Sequence, residues 1–379
     1  TITPRLSGCA NGTPQVVNVV VEPSPVAVVT NNSPAICTGS SPSIDVTSPT
    51  TPSIPGNLTF DVTVSLPAGV TGTGVAGSGV VGATAPFSIN TGTLTHNNLS
   101  NANLVVVYTI TPKLATCADG TPQIVNVTVR PNPVGALDNS RIVCSDEAFT
   151  YNIQTANIDI LGNAVNSNFT YTVSSSDEAN VPTPVGLDRV VASNAAINGT
   201  FTNLTPSDVD ITYTITPFNA VGNCAGAPFD VVIRIQPEPT APAVTTVEHC
   251  SDAANPFVFD LQTIIDTGIG GNTVASKFTY TVSSTNPLSV FPESNRNVAT
   301  TAQISHVYSN FSGVDETITY VVTPYSTAGD CQGSNFEFKV IVHPEPVGSN
   351  LNDPVCSTTL NHDIQTQITN GLNSIFTYT

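Results

Sequence analysis

The eight cysteines are the residues of this sequence whose type and spacing allow chemistry. They form two series whose successive members lie about 107 residues apart, with Cys9, Cys117, Cys224 and Cys331 in the first and Cys37, Cys144, Cys250 and Cys356 in the second. A thiolate can bind zinc, but no Cys-x-x-Cys motif occurs and no cysteine lies within zinc-ligand spacing of another. The two series therefore predict disulfides, which persist in an oxidising compartment outside the cytoplasm.

Two disulfide pairings fit this spacing. A short one joins Cys117 to Cys144, and a long one joins Cys37 to Cys117. The entropy of loop closure, about 3.5 and 4.5 kcal/mol respectively, separates them poorly. We take a domain's first strand to begin at the pole of its last hairpin loop, whereas the strand after Cys117 runs about 35 Å to the opposite pole. The long pairing then predicts the disulfides Cys37–Cys117, Cys144–Cys224 and Cys250–Cys331, and leaves Cys9 and Cys356 unpaired because their repeats are truncated.

The remaining polar residues give no catalytic pattern. The five histidines occupy non-equivalent places in the repeat and none lies within four residues of another: His96, His249, His306, His343 and His362. Carboxylates follow a cysteine-serine pair in two places, at Asp146-Glu147 and at Asp252, and such oxygens are ligands that calcium prefers. The ligand spacing of an EF-hand is missing, so the sequence predicts no catalytic residue, no cofactor and no metal site, with loop-bound calcium as the alternative.

The cysteines of the first series belong to a longer repeated pattern. A strand ends in Thr-Pro, a cysteine follows, and a second strand leads to a Pro-x-Pro segment. The Thr-Pro prolines and the Pro-x-Pro segments of the four copies are Pro4 with 23–25, Pro112 with 131–133, Pro217 with 237–239, and Pro324 with 344–346. A period this regular predicts tandem copies of one small domain.

The period sets the domain boundaries. Residues 27–134, 135–240 and 241–346 are predicted to be whole β-sandwich repeats, here called domains 1, 2 and 3. Residues 1–26 are expected to be the C-terminal part of a truncated repeat and residues 347–379 the N-terminal part of another, so that the chain is a window onto a longer polypeptide. Pro-x-Pro fixes two φ angles and removes two amide donors, which predicts short, stiff hinges and a rod of roughly 150 Å.

Alternation of apolar and hydroxylated residues predicts strands. In domain 2, Ile211, Tyr213 and Ile215 alternate with threonines, and a similar strand follows the cysteine. Helical periodicity is nearly absent, and only Phe257–Ile265 is expected to contain a helical turn. About seven short strands per repeat predict an all-β, immunoglobulin-like sandwich. By analogy of position, the tyrosines of this strand are expected to have buried rings and hydroxyls bonded to the backbone, as in a tyrosine corner: Tyr108, Tyr213 and Tyr320.

Composition excludes several classes of partner. The net charge is −18, from 27 acidic and 9 basic residues, so clusters of Lys and Arg that would neutralise nucleic acid or an anionic membrane are lacking. No apolar run approaches the roughly 20 residues of a membrane-spanning helix. There is no Met and no signal peptide pattern. A surface rich in Thr, Ser and Asn is typical of proteins that work outside the cell.

One segment stands out as a candidate recognition surface. Gly69–Gly82 is rich in glycine but contains no lysine and opens no helix, so phosphate binding is not predicted. It replaces the sequence found at Ser174–Val190 in the next repeat. Loops that vary over a constant framework are where binding can reside.

Three features together carry a family resemblance: Tyr-Thr-Ile-Thr-Pro at 108–112 and 213–217, the Cys-Ala-Asp-Gly and Cys-Ala-Gly loops at 117–120 and 224–226, and Pro-x-Pro after the next strand. In these features the chain resembles the PKD-like repeats of very large bacterial surface proteins, typical of the Bacteroidetes and including the SprB-type gliding-motility adhesins. The resemblance implies type IX secretion, exposure at the cell surface and a role in adhesion or gliding. It supplies no catalytic residues.

Two functions remain as expectations. The first is a non-enzymatic stalk or filament of a secreted cell-surface adhesin, with neighbouring repeats and an extracellular ligand such as a surface polysaccharide as partners. The alternative is a glycan-binding or spacer module of a secreted multidomain hydrolase. A glycan-binding module would present an exposed aromatic platform, but the chain has no Trp and its Tyr and Phe fall mostly at inward positions.

Overall fold

The structure, a computed structural model, describes residues 1–54, 57–72, 84–89, 92–115, 117–252, 254–350, 363–377 and 379. These residues are mostly β-strand, in sheets that pack as sandwiches. Their helical segments are short: a π-helical turn (Gln154–Ile158), α1 (Asp159–Leu161), α2 (Gln262–Thr267) and a 3-10 turn (Ile364–Gln367). The all-β fold class predicted from alternation is confirmed.

Domain 1 contains nine of these strands. They are β1 (Val28–Asn31), β2 (Ala35–Cys37), β3 (Ile44–Thr47), β4 (Leu58–Ser65), β5 (Val70–Gly72), β6 (Phe87–Ile89), β7 (Leu94–His96), β8 (Leu104–Leu114) and β9 (Gln123–Arg130). One sheet has the order β2-β9-β8-β4, a second has the order β1-β3-β6, and β5 pairs with β7. The core lies between the sheets and includes Phe60, Tyr108 and Val127.

Domains 2 and 3 share a seven-strand arrangement. Domain 2 has β10 (Asp138–Cys144), β11 (Phe149–Tyr151), β12 (Ser167–Ser175), β13 (Arg189–Ser193), β14 (Ile197–Gly199), β15 (Val209–Asn219) and β16 (Phe229–Gln236). Domain 3 has β17 (Val244–Cys250), β18 (Phe257–Phe259), β19 (Ser276–Ser284), β20 (Arg296–Thr300), β21 (Ile304–His306), β22 (Glu316–Ser326) and β23 (Phe336–His343). Each domain has one five-stranded sheet, β10-β16-β15-β12-β13 or β17-β23-β22-β19-β20, facing a two-stranded one.

In each large sheet, the strand that comes first along the chain pairs in parallel with the strand that comes last along the chain. β2 pairs with β9, β10 with β16 and β17 with β23, all in parallel, whereas the neighbouring pairs are antiparallel. Parallel register places the last residue of each first strand beside the last residue of each last strand: Cys37 beside Arg130, Cys144 beside Gln236 and Cys250 beside His343. Each cysteine of the second series that the structure describes therefore lies next to the start of a hinge.

The inward faces are those that alternation predicts. Ile211, Tyr213 and Ile215 are fully buried in β15, and the side chains of β16 that alternate with charged and polar residues are buried as well. Each domain has its own hydrophobic cluster. β15 continues two residues past Thr216-Pro217 because β12 still pairs with it as far as Asn219. The expectation that this strand ends at Thr-Pro is therefore wrong.

Other local expectations were met only in part. The helical turn expected within Phe257–Ile265 is present as α2, which begins at Gln262 after the strand Phe257–Phe259. Domain 2 has an equivalent π-helical turn that the sequence did not predict. The tyrosine rings are buried as expected, but their hydroxyls do not bond to the backbone. Tyr320 and Tyr308 share a hydroxyl–hydroxyl bond, and the Tyr108 and Tyr213 hydroxyls have no partner among the described residues.

The unpartnered Tyr213 hydroxyl provides a stability test. Burial raises the pKa of Tyr213, because the ring lies in the core of domain 2 and its charged form would be desolvated. We expect Tyr213→Phe to raise the free energy of unfolding of domain 2 by about 1 kcal/mol, since it removes a buried polar group that makes no bond. Tyr151→Phe should lower it by about 1 kcal/mol, because that hydroxyl donates a 2.7 Å bond to Asp138 Oδ2. Hydrogen exchange of β15 and β12 measures both, and a loss of stability in Tyr213→Phe would contradict the reasoning.

Candidate functional site

The cysteines pair between domains. Cys37 of domain 1 is bonded to Cys224 of domain 2, with 5.4 Å between Cα atoms, and Cys144 of domain 2 is bonded to Cys331 of domain 3, with 5.5 Å. The within-domain pairs Cys37–Cys117, Cys144–Cys224 and Cys250–Cys331 are therefore wrong. Both observed bonds have a sequence separation of 187 residues. We call the contact of domains 1 and 2 the first joint and that of domains 2 and 3 the second joint.

The direction of the first strand explains the error. Cys144 lies at the end of β10, after the chain has already crossed the sandwich, and not at the beginning of it. Because β10 and β16 are parallel, Cys144 lies beside Gln236, whereas Cys224 precedes the other end of β16. Eight residues of strand span about 26 Å, far more than a disulfide can bridge. The cysteine within reach is the one in the loop of the next domain.

Three other cysteines are free and exposed: Cys9, Cys117 and Cys250. Cys117 and Cys250 hold the same places in the repeat as Cys224 and Cys144, respectively. Cys356 lies outside the described residues, and so does most of Gly69–Gly82, the candidate recognition surface.

The loop before each bonded cysteine has a backbone that few residues adopt. Gly222 and Asn223 have φ of +93° and +57°, and Gly329 and Asp330 have +88° and +60°. Glycine takes this conformation without strain, and Asn and Asp tolerate it better than most residues. A Cβ on Gly222 would lie 2.3 Å from a guanidinium nitrogen of Arg130 in the preceding domain. The turn thus presents Cys224 while lying closely against the end of β9.

A second glycine of this loop lies against the hinge. A Cβ on Gly226 would be 2.0 Å from the carbonyl oxygen of Pro133, and one on Gly333 would be 2.0 Å from that of Pro239. The same glycine donates its N–H to the Thr-Pro carbonyl, from Gly226 to Pro217 at 2.8 Å. The Thr-Pro and Cys-x-Gly elements of the repeat are therefore hydrogen-bonded to each other and together form the surface against which the hinge packs.

Asparagine side chains hold the hinges from the other side. Asn163 Nδ2 donates to the Asn132 carbonyl at 2.8 Å, and its Oδ1 accepts from the Val134 N–H at 3.0 Å. Asn272 makes the same pair of bonds to Glu238 and Thr240, and Asn370 makes it to Glu345 and Val347. The amide thus bridges the residue before and the residue after the second proline, which has no N–H of its own.

The first joint carries one further buried bond. Asn219, at the end of β15, donates its Nδ2 to the Pro131 carbonyl at 3.0 Å. Both prolines of the first two hinges that link whole domains, 131–133 and 237–239, are buried. Sequence reasoning missed these asparagines, although the recurrence of Asn163, Asn272 and Asn370 at one place of the repeat was visible. Three contacts therefore fix these hinges: close packing against the glycine of the Cys-x-Gly loop, two hydrogen bonds from an asparagine side chain, and a disulfide beside the hinge.

Glu238 makes the second joint sensitive to pH. Burial raises the pKa of this hinge carboxyl, and the nearby charge of Asp146 raises it further. The folded state therefore favours the protonated form of Glu238. The contribution of this carboxyl to the free energy of unfolding is fully present below its ordinary pKa of 4.5, and it is lost as pH rises through the raised pKa of the folded state. We expect Glu238→Gln to raise the unfolding midpoint of domains 2 and 3 at pH 7 but not at pH 4. Denaturation at both pH values tests this, and a difference independent of pH would contradict it.

The carboxylates considered as calcium ligands already accept hydrogen bonds from protein groups. Glu147 Oε2 accepts from the Cys144 N–H at 3.0 Å, Asp146 accepts from the Thr202 hydroxyl, and Asp252 Oδ1 accepts from the Ala254 N–H at 2.7 Å. Within the described ranges, no group of three or more His, Cys, Asp or Glu side chains is placed to hold a metal ion.

We expect calcium to leave the thermal unfolding of this protein unchanged, because a bound ion would have to displace these hydrogen bonds. The test is the melting temperature in millimolar calcium and in chelator, since any ligand that binds the folded state raises it. A rise that depends on calcium and disappears in Asp146→Asn would establish a site and overturn this expectation.

The histidines do not form a site. His96 is buried, with Nε2 2.9 Å from the Ala102 carbonyl and Nδ1 accepting from the Asn98 N–H. His306 lies 3.1 Å from the Phe291 carbonyl, and His249 packs against the rings of Phe257 and Tyr308. His343 bonds to Asp315 at 2.8 Å, which raises its pKa. His362 lies outside the described residues. His306 also packs against the Tyr308 ring, so His249 and His306 share this neighbour, whereas His96 and His343 lie elsewhere in the described part of the chain.

A shallow surface depression of about 690 Å³ lies on domain 2 and is lined by Asp177, Asn180 and the segment 204–209, without histidine or cysteine. The Asp177 carboxylate accepts hydrogen bonds from Asn180. No helix in the described part of the chain is long and apolar enough to cross a membrane.

Comparison with known proteins gives one family match. Residues 141–239 and 272–346 match the family model of the PKD-like domain. No curated protein sequence is significantly similar to the chain. Similar solved structures include protocadherin gamma B2 cadherin domains 3–6, with 10% identity over 86% of this chain and 78% of that chain and a TM-score of 0.25.

Two further structures are similar at the same low level. The FN1–FN3 domains of chicken CNTN1 have 11% identity over 85% of this chain and all of that chain, with a TM-score of 0.26. The *Escherichia coli* adhesin FdeC has 13% identity over 85% of this chain and 99% of that chain, with a TM-score of 0.30. The family match lies in domains 2 and 3, which the Cys144–Cys331 disulfide joins, and it confirms for these two segments the predicted similarity to the PKD-like domain.

Proposed function

We propose that this chain is a non-enzymatic spacer region of a secreted bacterial cell-surface adhesin. Its joints hold successive repeats in fixed orientation so that adhesive parts are displayed away from the cell. Surface polysaccharide or another extracellular ligand is the partner of such a protein, and gliding motility after type IX export is the setting that the resemblance to SprB-type adhesins implies. An adhesin must transmit contact forces to the cell, which requires joints that do not fold back.

The observation that carries the proposal is the double connection at each joint. A peptide hinge and a disulfide both cross from domain 1 to domain 2, and both cross again from domain 2 to domain 3. A single flexible linker would leave the domains free to bend, whereas two covalent links with a buried hinge restrict bending and twisting. A globular enzyme or a loosely tethered binding module has no need of this arrangement.

The disulfides also support the proposed location. They persist in secreted proteins and in the periplasm but are reduced in the cytoplasm. The net charge of −18 with few basic residues fits a protein that meets neither nucleic acid nor an anionic membrane.

Three measurements test this function. Antibody raised against the chain should label intact cells of the source bacterium without permeabilisation, and deletion of the gene should reduce attachment to polysaccharide-coated surfaces. Small-angle scattering of the oxidised protein should give a maximum dimension of about 150 Å. Labelling that requires permeabilised cells, or a compact oxidised particle, would reject the proposal. A catalytic domain in the same gene would favour the hydrolase alternative.

A further inference from the structure

The two connections of each joint lie side by side. Cys37 is the register partner of Arg130, the residue before the first hinge, and Cys144 is the register partner of Gln236, the residue before the second. Adjacent strands are about 4.8 Å apart, so the disulfide and the hinge leave each domain as neighbours. The residues after the cysteines continue the pairing, with Thr38 donating to Arg130 and Ser145 donating to Gln236.

We propose that the first and last strands of the domains form two covalent threads that carry tension along the chain past the hydrophobic cores. One thread is β2, the Cys37–Cys224 disulfide, β16, the hinge 237–239 and β17. The other is β9, the hinge 131–133, β10, the Cys144–Cys331 disulfide and β23. Each thread alternates between a first strand and a last strand, and it changes from one to the other at every joint.

The parallel pairing of first and last strands makes this arrangement possible. Both strands run from the pole where a domain is entered to the pole where it is left, so both can be pulled in the same direction. Within every domain the two threads are adjacent and hydrogen-bonded, as β10 with β16 and β17 with β23. Each thread is covalently continuous through the domain, so tension is carried by its backbone and these hydrogen bonds keep the two threads side by side.

Because the threads carry the applied force, most strands of each sandwich lie outside the covalent path that is under tension. The covalent path from the amino terminus to Cys250 passes from Cys37 directly to Cys224, so β3 through β15 lie in a closed loop. A single disulfide thereby shields the cores of both domains 1 and 2. Within-domain disulfides would have shielded each domain separately and would have left the hinge as the sole connection.

This inference deepens the proposed function and rests on it for its biological meaning, but its mechanical content can be tested alone. A failure of surface labelling would reject the adhesin while leaving the threads intact. A failure of the force measurement would reject the threads while leaving a surface spacer with fixed joints.

Single-molecule pulling between an amino-terminal tag and the exposed thiol of Cys250 is the direct test. The substitutions Cys9→Ser, Cys117→Ser and Cys356→Ser make Cys250 the sole free thiol for attachment. In the oxidised protein we expect no unfolding step from domain 1 or domain 2. Reduction of the same molecule by phosphine should release the closed loop of 187 residues, which is about 650 Å of extended chain.

Two variants separate this path from its alternatives. Cys37→Ser with Cys224→Ser removes the bond without leaving a second free thiol, and it should release the same length without reductant. Reduction of the parent protein gives that result even where the variant folds poorly. Cys144→Ser with Cys331→Ser should leave the trace unchanged, because that bond is not on the path to Cys250. A release of about 280 Å in this second variant would indicate a Cys144–Cys224 bond instead. That result, or stepwise domain unfolding in the oxidised parent, overturns the proposal.

Discussion

Replacing Cys224 by serine is expected to lower the free energy of unfolding domains 1 and 2 by about 5 kcal/mol. The Cys37–Cys224 bond closes a loop of 187 residues, and the entropy that such a bond removes from the unfolded chain grows with the logarithm of loop length. Cys331→Ser should act equally on domains 2 and 3, because its bond closes a loop of the same length. Guanidinium denaturation, monitored by hydrogen exchange in each domain, measures the free energy of unfolding of the domains separately.

The free cysteines supply the matched control. Cys117→Ser and Cys250→Ser replace exposed thiols that make no disulfide, so the unfolding midpoints should stay within about 0.5 kcal/mol of the parent. Non-reducing peptide mapping identifies the bonds directly. Recovery of Cys37 linked to Cys224, and of Cys144 linked to Cys331, is the expected result. A Cys37–Cys117 peptide, or a large loss of stability in Cys117→Ser, would contradict it.

Strand pattern and burial could be predicted from this sequence because they are local. The side chains of a strand alternate between two faces, so the positions of Ile211, Tyr213 and Ile215 in one register fix which of them enter the core. All three are fully buried. The same logic gave the fold class, since repeated short strands without helical periodicity leave few other architectures.

The disulfide pairing could not be predicted because it depends on a relation between elements. Alternation within β10 does not say whether that strand runs parallel or antiparallel to β16, and this direction decides which pole Cys144 occupies. The distance of Cys144 from Pro133 in sequence was a usable sign, since the intervening residues are enough for a strand to cross the sandwich. Treating the cysteine as the beginning of the strand led to the wrong partner.

The asparagines of the joints were missed for a different reason. Asn163 and Asn272 lie next to glycines in segments that read as ordinary turns, and Asn is common in such turns. What distinguishes them is the orientation of their amide groups toward the hinge that precedes their own domain. The recurrence of Pro-x-Pro predicted the hinge, but it did not indicate which side chain forms hydrogen bonds with the hinge backbone.

The last strands are anchored by a second kind of buried asparagine. Asn203 and Asn310 are fully buried in domains 2 and 3. Asn203 Nδ2 donates to the carbonyls of Ser207 at 2.8 Å and Ile235 at 2.9 Å, and the Asn203 N–H donates to the hydroxyl of Ser145, the residue after Cys144. Asn310 repeats this arrangement with Val314, Val342 and Ser251. β14 ends at Gly199, and the segment after it forms the turn that the Asn203 side chain organises.

We expect Asn203→Ala to lower the stability of domain 2 by about 3 kcal/mol, because the buried Ile235 carbonyl loses its donor and the partly buried bond to the Ser207 carbonyl is lost with it. Asn310→Ala should do the same in domain 3 and leave domain 2 unchanged. Hydrogen exchange of β16 and β23 reports the two domains separately. Asn198→Ala, at an exposed position of β14, is the control and should change stability by less than about 0.5 kcal/mol.

Asn203→Asp separates the lost hydrogen bonds from lost volume, because Asp has nearly the same shape. At neutral pH the variant places a carboxylate against the carbonyls of Ser207 and Ile235, so it should be less stable than Asn203→Ala. At acid pH the protonated carboxyl can donate one of the two bonds, so part of the stability should return. Equal stability of the two variants at all pH values would mean that packing, not hydrogen bonding to the last strand, is what Asn203 provides.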